Sequence, residues 1–273
     1  MGATASTKGI LRPGQGRRHF ALRRHAPAAD LADVIERHWV VHWDLRGRPP
    51  FVQELLPHPC VNLAFESGRG TVHGIPEHRA SRRLEGSGWA LGTKFRPGAF
   101  RQFTAIGAAD LVGRVVSVEE AFSAGDGAAL TAAVNAQSPD LEPMIEAVEA
   151  FLRARRAPAD PAGELLQEIV ADMLVAPSGI TVKEIARHYG MSTRALQRLF
   201  RSHVGVGPKW VLRRYRLQEA AERIAAGEVD DLASLALDLG YFDQAHFNRD
   251  FRSMVGRAPS EYARTCAAGA RGA

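Results

Sequence analysis

Residues Gly240–Tyr262 read GYFDQAHFNRDFRSMVGRAPSEY, and a weaker copy of the same pattern lies about fifty residues upstream. The copy begins Gly190-Met-Ser-Thr-Arg-Ala-Leu-Gln-Arg-Leu-Phe200, continues through Gly205 and reaches Pro208. Gly190 matches Gly240, Ala195 matches Ala245, Phe200 matches Phe251, Gly205 matches Gly256 and Pro208 matches Pro259, with one extra residue just after the glycine of the second copy. A supersecondary unit used twice points to a repeated architecture.

Both copies follow one physical plan. A short helix, Val182–Tyr189 or Leu232–Leu239, ends at a glycine able to adopt the left-handed conformation that closes a helix. Ser192 or Asp243 then caps a second helix. That helix carries an apolar stripe, Leu196/Leu199/Phe200 or Phe247/Phe251/Met254, and a polar face opposite. Two helices joined by a tight glycine turn predict a helix-turn-helix, whose second helix can enter the DNA major groove. The sequence predicts two of them.

Gly190–Pro208 and Gly240–Tyr262 resemble the tandem helix-turn-helix domain of the AraC/XylS family of bacterial transcription regulators, over roughly Pro161–Arg264. The resemblance rests on the paired pattern G-x-S-x-x-x-L-x-R-x-F…G-x-x-P. It implies double-stranded operator DNA as partner, RNA polymerase as a second partner if the protein activates, and a location in the bacterial cytoplasm and nucleoid. It also implies no enzymatic activity, no catalytic residues and no cofactor or metal. The positions matching the family's base readers are Arg194, Gln197 and Arg198 in the first unit, and Gln244, Ala245, Asn248 and Arg249 in the second. Arg forks suit guanine and Gln suits adenine, whereas Ala245 departs from a polar reader and can only meet a thymine methyl or leave its base unread. Ser192 and Thr193 at the start of the first recognition helix complete the DNA-binding set. Arg201, Arg213, Arg214 and Arg252 are placed as phosphate contacts, which position without specifying.

Charge distribution separates the units. Nine basic side chains lie between Ile180 and Arg216 against Glu184 alone, whereas Leu217–Arg264 has five Arg against nine acidic residues. Phosphate attraction is therefore expected mainly from the first unit. The whole chain, 273 residues with a net charge of +5, has room for two domains and 45% hydrophobic residues to fill their cores. Two cysteines, Cys60 and Cys266, give no disulfide framework and read as free thiols of a reducing compartment. Neither a signal-peptide core nor an apolar run of membrane-spanning length is present, which argues against a membrane protein.

The remainder organises around the tandem units. Ala157-Pro-Ala-Asp-Pro161 reads as a stiff joint, dividing the chain into 1–157 and 160–265. Pro161–Val175, capped by Asp160, is a lead helix, Thr181-Val-Lys-Glu184 a capping box, and Pro208 opens a helix running to about Ala226. That last helix, roughly 28 Å long, approaches the ~34 Å of one duplex turn.

Upstream, His19–Arg24, His38–Leu45, Phe51–Leu56, Val61–Glu66, Thr71–Ile75, Gly88–Phe95 and Ala99–Thr104 read as short strands with turns between them, and Asp30–Arg37 as a short helix. These predict a β-sandwich or β-barrel domain with flanking helices, a cupin-like barrel being expected, within an α+β chain whose carboxy-terminal half is all-α. Val118–Phe122, Ala128–Asn135 and Leu141–Arg155 are helical patterns. The stripe Met144/Ile145, Val148, Phe151/Leu152 is either a homodimer face or the side packed on its own barrel.

The strand-rich half resembles the amino-terminal domain of one subset of AraC-like regulators through Ile35–Trp39, Leu56–Phe65 and Gly92–Gly98, implying effector sensing or dimerisation. His58, Cys60, Lys94 and Arg96 are the candidate effector residues, with Arg101 a further cation for an anionic effector or an exposed hairpin charge. Cys60 is either a sensor thiol helped by His58 or a small buried strand residue. His58, Cys60, His73 and His78 match no structural zinc spacing.

Overall fold

The computed structural model describes residues 11, 16, 18–56, 58–76, 79–138, 140–158, 160–175 and 179–271. Its first half is strand-rich and its second half helical. The strands are β1 (Ala21–His25), β2 (Ile35–Asp44), β3 (Phe51–Leu55), β4 (Asn62–Glu66), β5 (Arg69–His73), β6 (Ala80–Leu84), β7 (Ser87–Phe95) and β8 (Val115–Ser117). Six form one antiparallel sheet in the order β1-β2-β7-β4-β5-β8, while β3 and β6 pair as a separate ribbon. The ladders among the described residues end at β1 and β8, so hydrogen bonding does not close the sheet into the expected barrel.

The long β2 and β7 form its centre, with Val40 opposite Leu91 and His38 opposite Thr93. Their inward residues Ile35, Val40, Leu91 and Phe95 pack with Leu63, Phe65 and Val72 in one core. Three helices cover that core: α1 (Val118–Phe122), α2 (Ala124–Ala136) and α3 (Leu141–Arg155). Met144, Ile145, Val148 and Leu152 of α3 are buried there, and the Phe151 ring meets Phe122 edge-on at 5.0 Å. The α3 stripe is therefore consumed within its own domain, which removes it as a homodimer face.

Two local expectations differ. Asp30–Arg37 is a 3-10 turn, Ala29–Leu31, followed by the start of β2 at Ile35. Leu31, Val34 and Ile35 are all buried as the helical spacing required, but so short an apolar run fits a turn into a β-branched strand equally well. Ala99–Thr104 is likewise a 3-10 turn, Ala99–Gln102, whose three-residue spacing drives both Phe100 and Phe103 inward. Strands β6 and β8 have no counterpart in the sequence reading.

The second half contains α4 (Pro161–Val175), α5 (Val182–His188), α6 (Thr193–His203), α7 (Pro208–Ala226), α8 (Leu232–Asp238), α9 (Gln244–Val255) and α10 (Pro259–Arg271). It has two cores. Leu166, Ile169, Ile185, Leu196, Phe200 and Val211 build the first; Leu217, Ile224, Leu235, Phe247, Phe251 and Tyr262 build the second. Helix α7 runs through both, giving its first half to one unit and its second half to the other. Ile75 of the strand-rich half enters the first core, and Leu11 and Leu56 enter the second. No helix among the described residues is long and apolar enough to cross a membrane.

Candidate nucleic-acid interface

The two helix-turn-helix units share their turn and recognition-helix cap bonds, and the first has a capping box besides. In the first, the Thr181 hydroxyl accepts the Glu184 N–H at 3.2 Å while Glu184 accepts the Thr181 N–H at 2.8 Å, closing the predicted capping box. Gly190 and Gly240 end α5 and α8 at φ of 63° and 72°, the conformation that makes glycine the natural choice there. The next residue turns back identically in both: the Met191 N–H donates to Ala186 O at 2.8 Å, and the Tyr241 N–H to Ala236 O at 2.9 Å.

The caps then fix the correspondence between recognition helices α6 and α9. Ser192 Oγ accepts the Ala195 N–H at 3.1 Å, and Asp243 Oδ1 accepts the His246 N–H at 2.6 Å. Ala195 is thus the counterpart of His246, and the sequence match of Ala195 with Ala245 is corrected by one residue. Arg194 corresponds to Ala245, Arg198 to Arg249 and Arg201 to Arg252. Tyr241 corresponds to Met191, so the additional residue of the second unit is Phe242.

At 100° per residue, Leu196/Phe200 and Phe247/Phe251 point inward, and the opposite side carries two parallel stripes. Arg194, Arg198 and Arg201 form one; Ala245, Arg249 and Arg252 form the other, and all six residues are exposed. Thr193, Gln197 and Gln244 flank the stripes and are exposed as well, as is the capping Ser192. Asn248 sits nearer the core: it is half-buried, with its amide oxygen enclosed and unpartnered among the described residues.

The phosphate-contact candidates divide. Arg201 and Arg252 lie on the exposed stripes, and Arg213 is exposed but paired with Asp250 at 3.0 Å. Arg214 is 4% exposed, its guanidinium stacked 4.4 Å over the Trp210 ring. Burial, then the neighbouring Arg213 charge, pushes its pKa down to about 10. It is a packing residue of α7, and its placement as a phosphate contact is withdrawn.

In the strand-rich half, Cys60 is buried and its thiol is pushed up to about 11, chiefly by burial, with Lys94 opposing. A protonated, enclosed thiol is a poor nucleophile, which favours the buried-residue reading over the sensor thiol. Lys94 is 5% exposed and paired with Glu36 at 2.7 Å, and Arg96 donates to Ala32 O at 2.8 Å. Of the four effector candidates, Arg96 alone lines either described cavity; the one it lines, about 20 Å³, is shared with Arg101 and His203. A volume that small accommodates about one water. His58 is half-buried. His73 lies 3.0 Å from the Thr71 hydroxyl, and the described residues contain no group of three or more His, Cys, Asp or Glu suited to a metal ion. His78, Pro57 and residues 177 and 178 lie outside the described residues.

Contacts that the sequence did not foretell join the two halves. Glu54 of β3 accepts from Arg79 and, at 3.3 Å, from Arg257 just beyond α9, and Arg79 also reaches Val255 O at 3.5 Å. At the first unit, Arg101 Nη1 lies 3.5 Å from His203 Nε2, which also lies 2.8 Å from Asp160 of its own half and holds that carboxyl below the usual range.

Comparison with known proteins agrees with this geometry. Residues 167–265 match a helix-turn-helix domain family, and residues 23–117 match a domain of unknown function, DUF6597. The XylDLEGF operon transcriptional activator 3 of Pseudomonas putida is 30% identical over 103 residues, 37% of this chain and 30% of that protein. The helical half is an AraC/XylS-type domain. The raffinose operon transcriptional regulatory protein RafR of Pediococcus pentosaceus is 28% identical over 85 residues, 31% of this chain and 30% of that one. The chain spans about 30% of the length of these curated relatives. A probable AraC family transcriptional regulator of solved structure, from Rhodopseudomonas palustris, is 26% identical, covers 37% of this chain and 94% of that one, and superposes with a TM-score of 0.34.

Proposed function

We propose that this chain is a sequence-specific transcription regulator that presents α6 and α9 to successive major grooves of one duplex. The observation that carries the reading is the pair of equivalent exposed stripes, Arg194/Arg198/Arg201 and Ala245/Arg249/Arg252, held by two AraC/XylS-type units that share the single helix α7. Nineteen residues make α7 about 28 Å long, close to the ~34 Å between successive grooves on one face. The exposed cations Lys183, Arg187, Arg194, Arg198, Arg201 and Lys209 concentrate phosphate attraction on the first unit. The strand-rich half would govern binding through the cores it shares with both units, whether a small-molecule effector or another partner moves it. An activating role would add RNA polymerase as a partner, in the bacterial cytoplasm.

Selection of duplexes from a random pool by the full-length chain tests this reading, followed by fluorescence anisotropy of the selected duplex over a salt series. The expected result is a two-part site spread over about two helical turns, bound more tightly than scrambled DNA and weakened steeply by salt. Binding without sequence preference at every salt concentration would overturn it.

A further inference from the structure

The second recognition helix departs from the first at its leading end, in three ways that point the same way. Where α6 carries Arg194, α9 carries the methyl group of Ala245. The residue that the second turn adds is Phe242, directly before the cap and 91% exposed, the most exposed of the large apolar side chains described. Finally, the cap itself is anionic. Asp243 accepts the His246 N–H, so a carboxylate already occupies the positive end of the helix that a phosphate would otherwise use. The surrounding segment has excess acid, and one of its arginine contacts is internal, Arg213 to Asp250.

A helix-turn-helix brings the leading residues of its second helix against base edges. Ala245 is among those leading residues and Phe242 stands just before the cap; neither side chain offers a hydrogen bond, unlike Gln244 between them. The feature of the major groove that an apolar group recognises is the thymine 5-methyl. Resting on the DNA-binding reading above, we propose that Phe242, with Ala245, is a specificity residue that selects thymine in the half-site of the second unit by methyl contact. The first unit reads by guanidinium and amide alone; in the second, Phe242 and Ala245 add an apolar contact beside the exposed Gln244 and Arg249. An exposed phenyl ring has nothing to lose in solution and gains burial on the duplex, which gives the contact its favourable sign.

The test uses the full-length chain and the duplex it selects from a random pool. Each thymine of the second half-site is replaced in turn by deoxyuridine, which removes the methyl and keeps every hydrogen-bonding group. Wild-type and Phe242→Ala proteins are then compared by anisotropy. Wild type is expected to lose affinity roughly fourfold at one or more of these positions, the amount expected for one buried carbon group. Phe242→Ala should bind the thymine duplex more weakly and show little further loss with deoxyuridine. A selected half-site without thymine overturns the proposal, as does a wild type indifferent to deoxyuridine or a variant that keeps the full penalty. In each of those cases the selected duplex still shows sequence preference, so the regulator reading survives. Absence of any selected sequence overturns both. Phe242 contributes nothing to the core, so the variant keeps its fold.

Discussion

Arg198 and Arg214 carry the same guanidinium into opposite surroundings. Arg198 lies on the exposed stripe of α6, whereas Arg214, on α7 itself, is buried against Trp210 of the same helix. Arg198→Ala is expected to weaken binding to the selected duplex by about 1–3 kcal/mol while leaving the urea midpoint unchanged. Arg214→Ala is expected to lower stability by roughly 1–2 kcal/mol through loss of the desolvated cation–ring contact. Anisotropy and urea titration on both variants separate the roles, and a reversed pattern would refute the assignment. His38 makes a separate prediction about pH. It is enclosed between the Thr93 hydroxyl at 2.9 Å and Glu149 at 3.0 Å. Burial holds its pKa below the ordinary value, with Glu149 opposing, so the native state favours the neutral ring. An unfolded histidine takes up its proton near pH 6.5, so the native state binds fewer protons there. The His38 contribution is therefore complete above that pH and is lost as pH falls through the lowered native value. Urea midpoints measured from pH 7.5 to 5 should fall, and His38→Gln should fall less; equal slopes would remove His38 as the cause.

At the scale of elements, legibility followed how local the determining bond is. Caps and glycine stops are contained within four or five residues, which is why Ser192, Asp243, Thr181, Gly190 and Gly240 could be read directly, along with the extents of α4 and α7. Strand β6, ASRRL, buries Leu84 alone and is ordered by its pairing with β3, a partner thirty residues away that no local pattern reveals. The Ala195–Ala245 match failed for a related reason. Identical letters suggested one alignment, but the bonded N–H of the third helical residue defines another. The caps themselves carry a prediction. Asp243→Ala should cost about 1 kcal/mol of stability, because the His246 N–H loses its acceptor. Asp243→Ser should retain most of that stability, as serine caps nearly as well and already does so in α6. Removing the carboxylate should also raise affinity for DNA at low salt, since one repulsive charge leaves the interface. Thermal unfolding reads the first effect and a salt titration of binding the second. If Ser at this position leaves the low-salt affinity unchanged, the end of α9 stands away from the phosphates.

The molecule as a whole is less divisible than the proline-rich joint at 157–161 suggested. Leu56 follows β3 in the strand-rich half, yet it is 5% exposed within the core of the second helix-turn-helix, beside Leu11 from near the start of the chain. Glu54, two residues earlier, holds Arg79 of its own half and Arg257 of the other, so an ionic clasp sits over the apolar contact. The sequence could mark Leu56 as a strand residue but could not say which core it enters, since that depends on how two folded halves meet. Leu56→Ala separates the alternatives. Loss of the buried side chain should cost about 2–5 kcal/mol, and the cost should be borne where the cavity opens. Amide hydrogen exchange resolves the location. Faster exchange in α8 and α9, with β2 and β7 protected as before, is the outcome expected if the strand-rich half props the second recognition helix. Faster exchange confined to β2 and β7 would mean that Leu56 serves its own sheet. Because Phe247 and Phe251 in the same core set the pose of α9, the first outcome would also make Leu56 a route by which a change in the strand-rich half alters how the second unit meets DNA. Binding of the selected duplex by Leu56→Ala should then weaken through contacts of the second half-site, while the penalty for changing bases under Arg194 and Arg198 stays that of wild type.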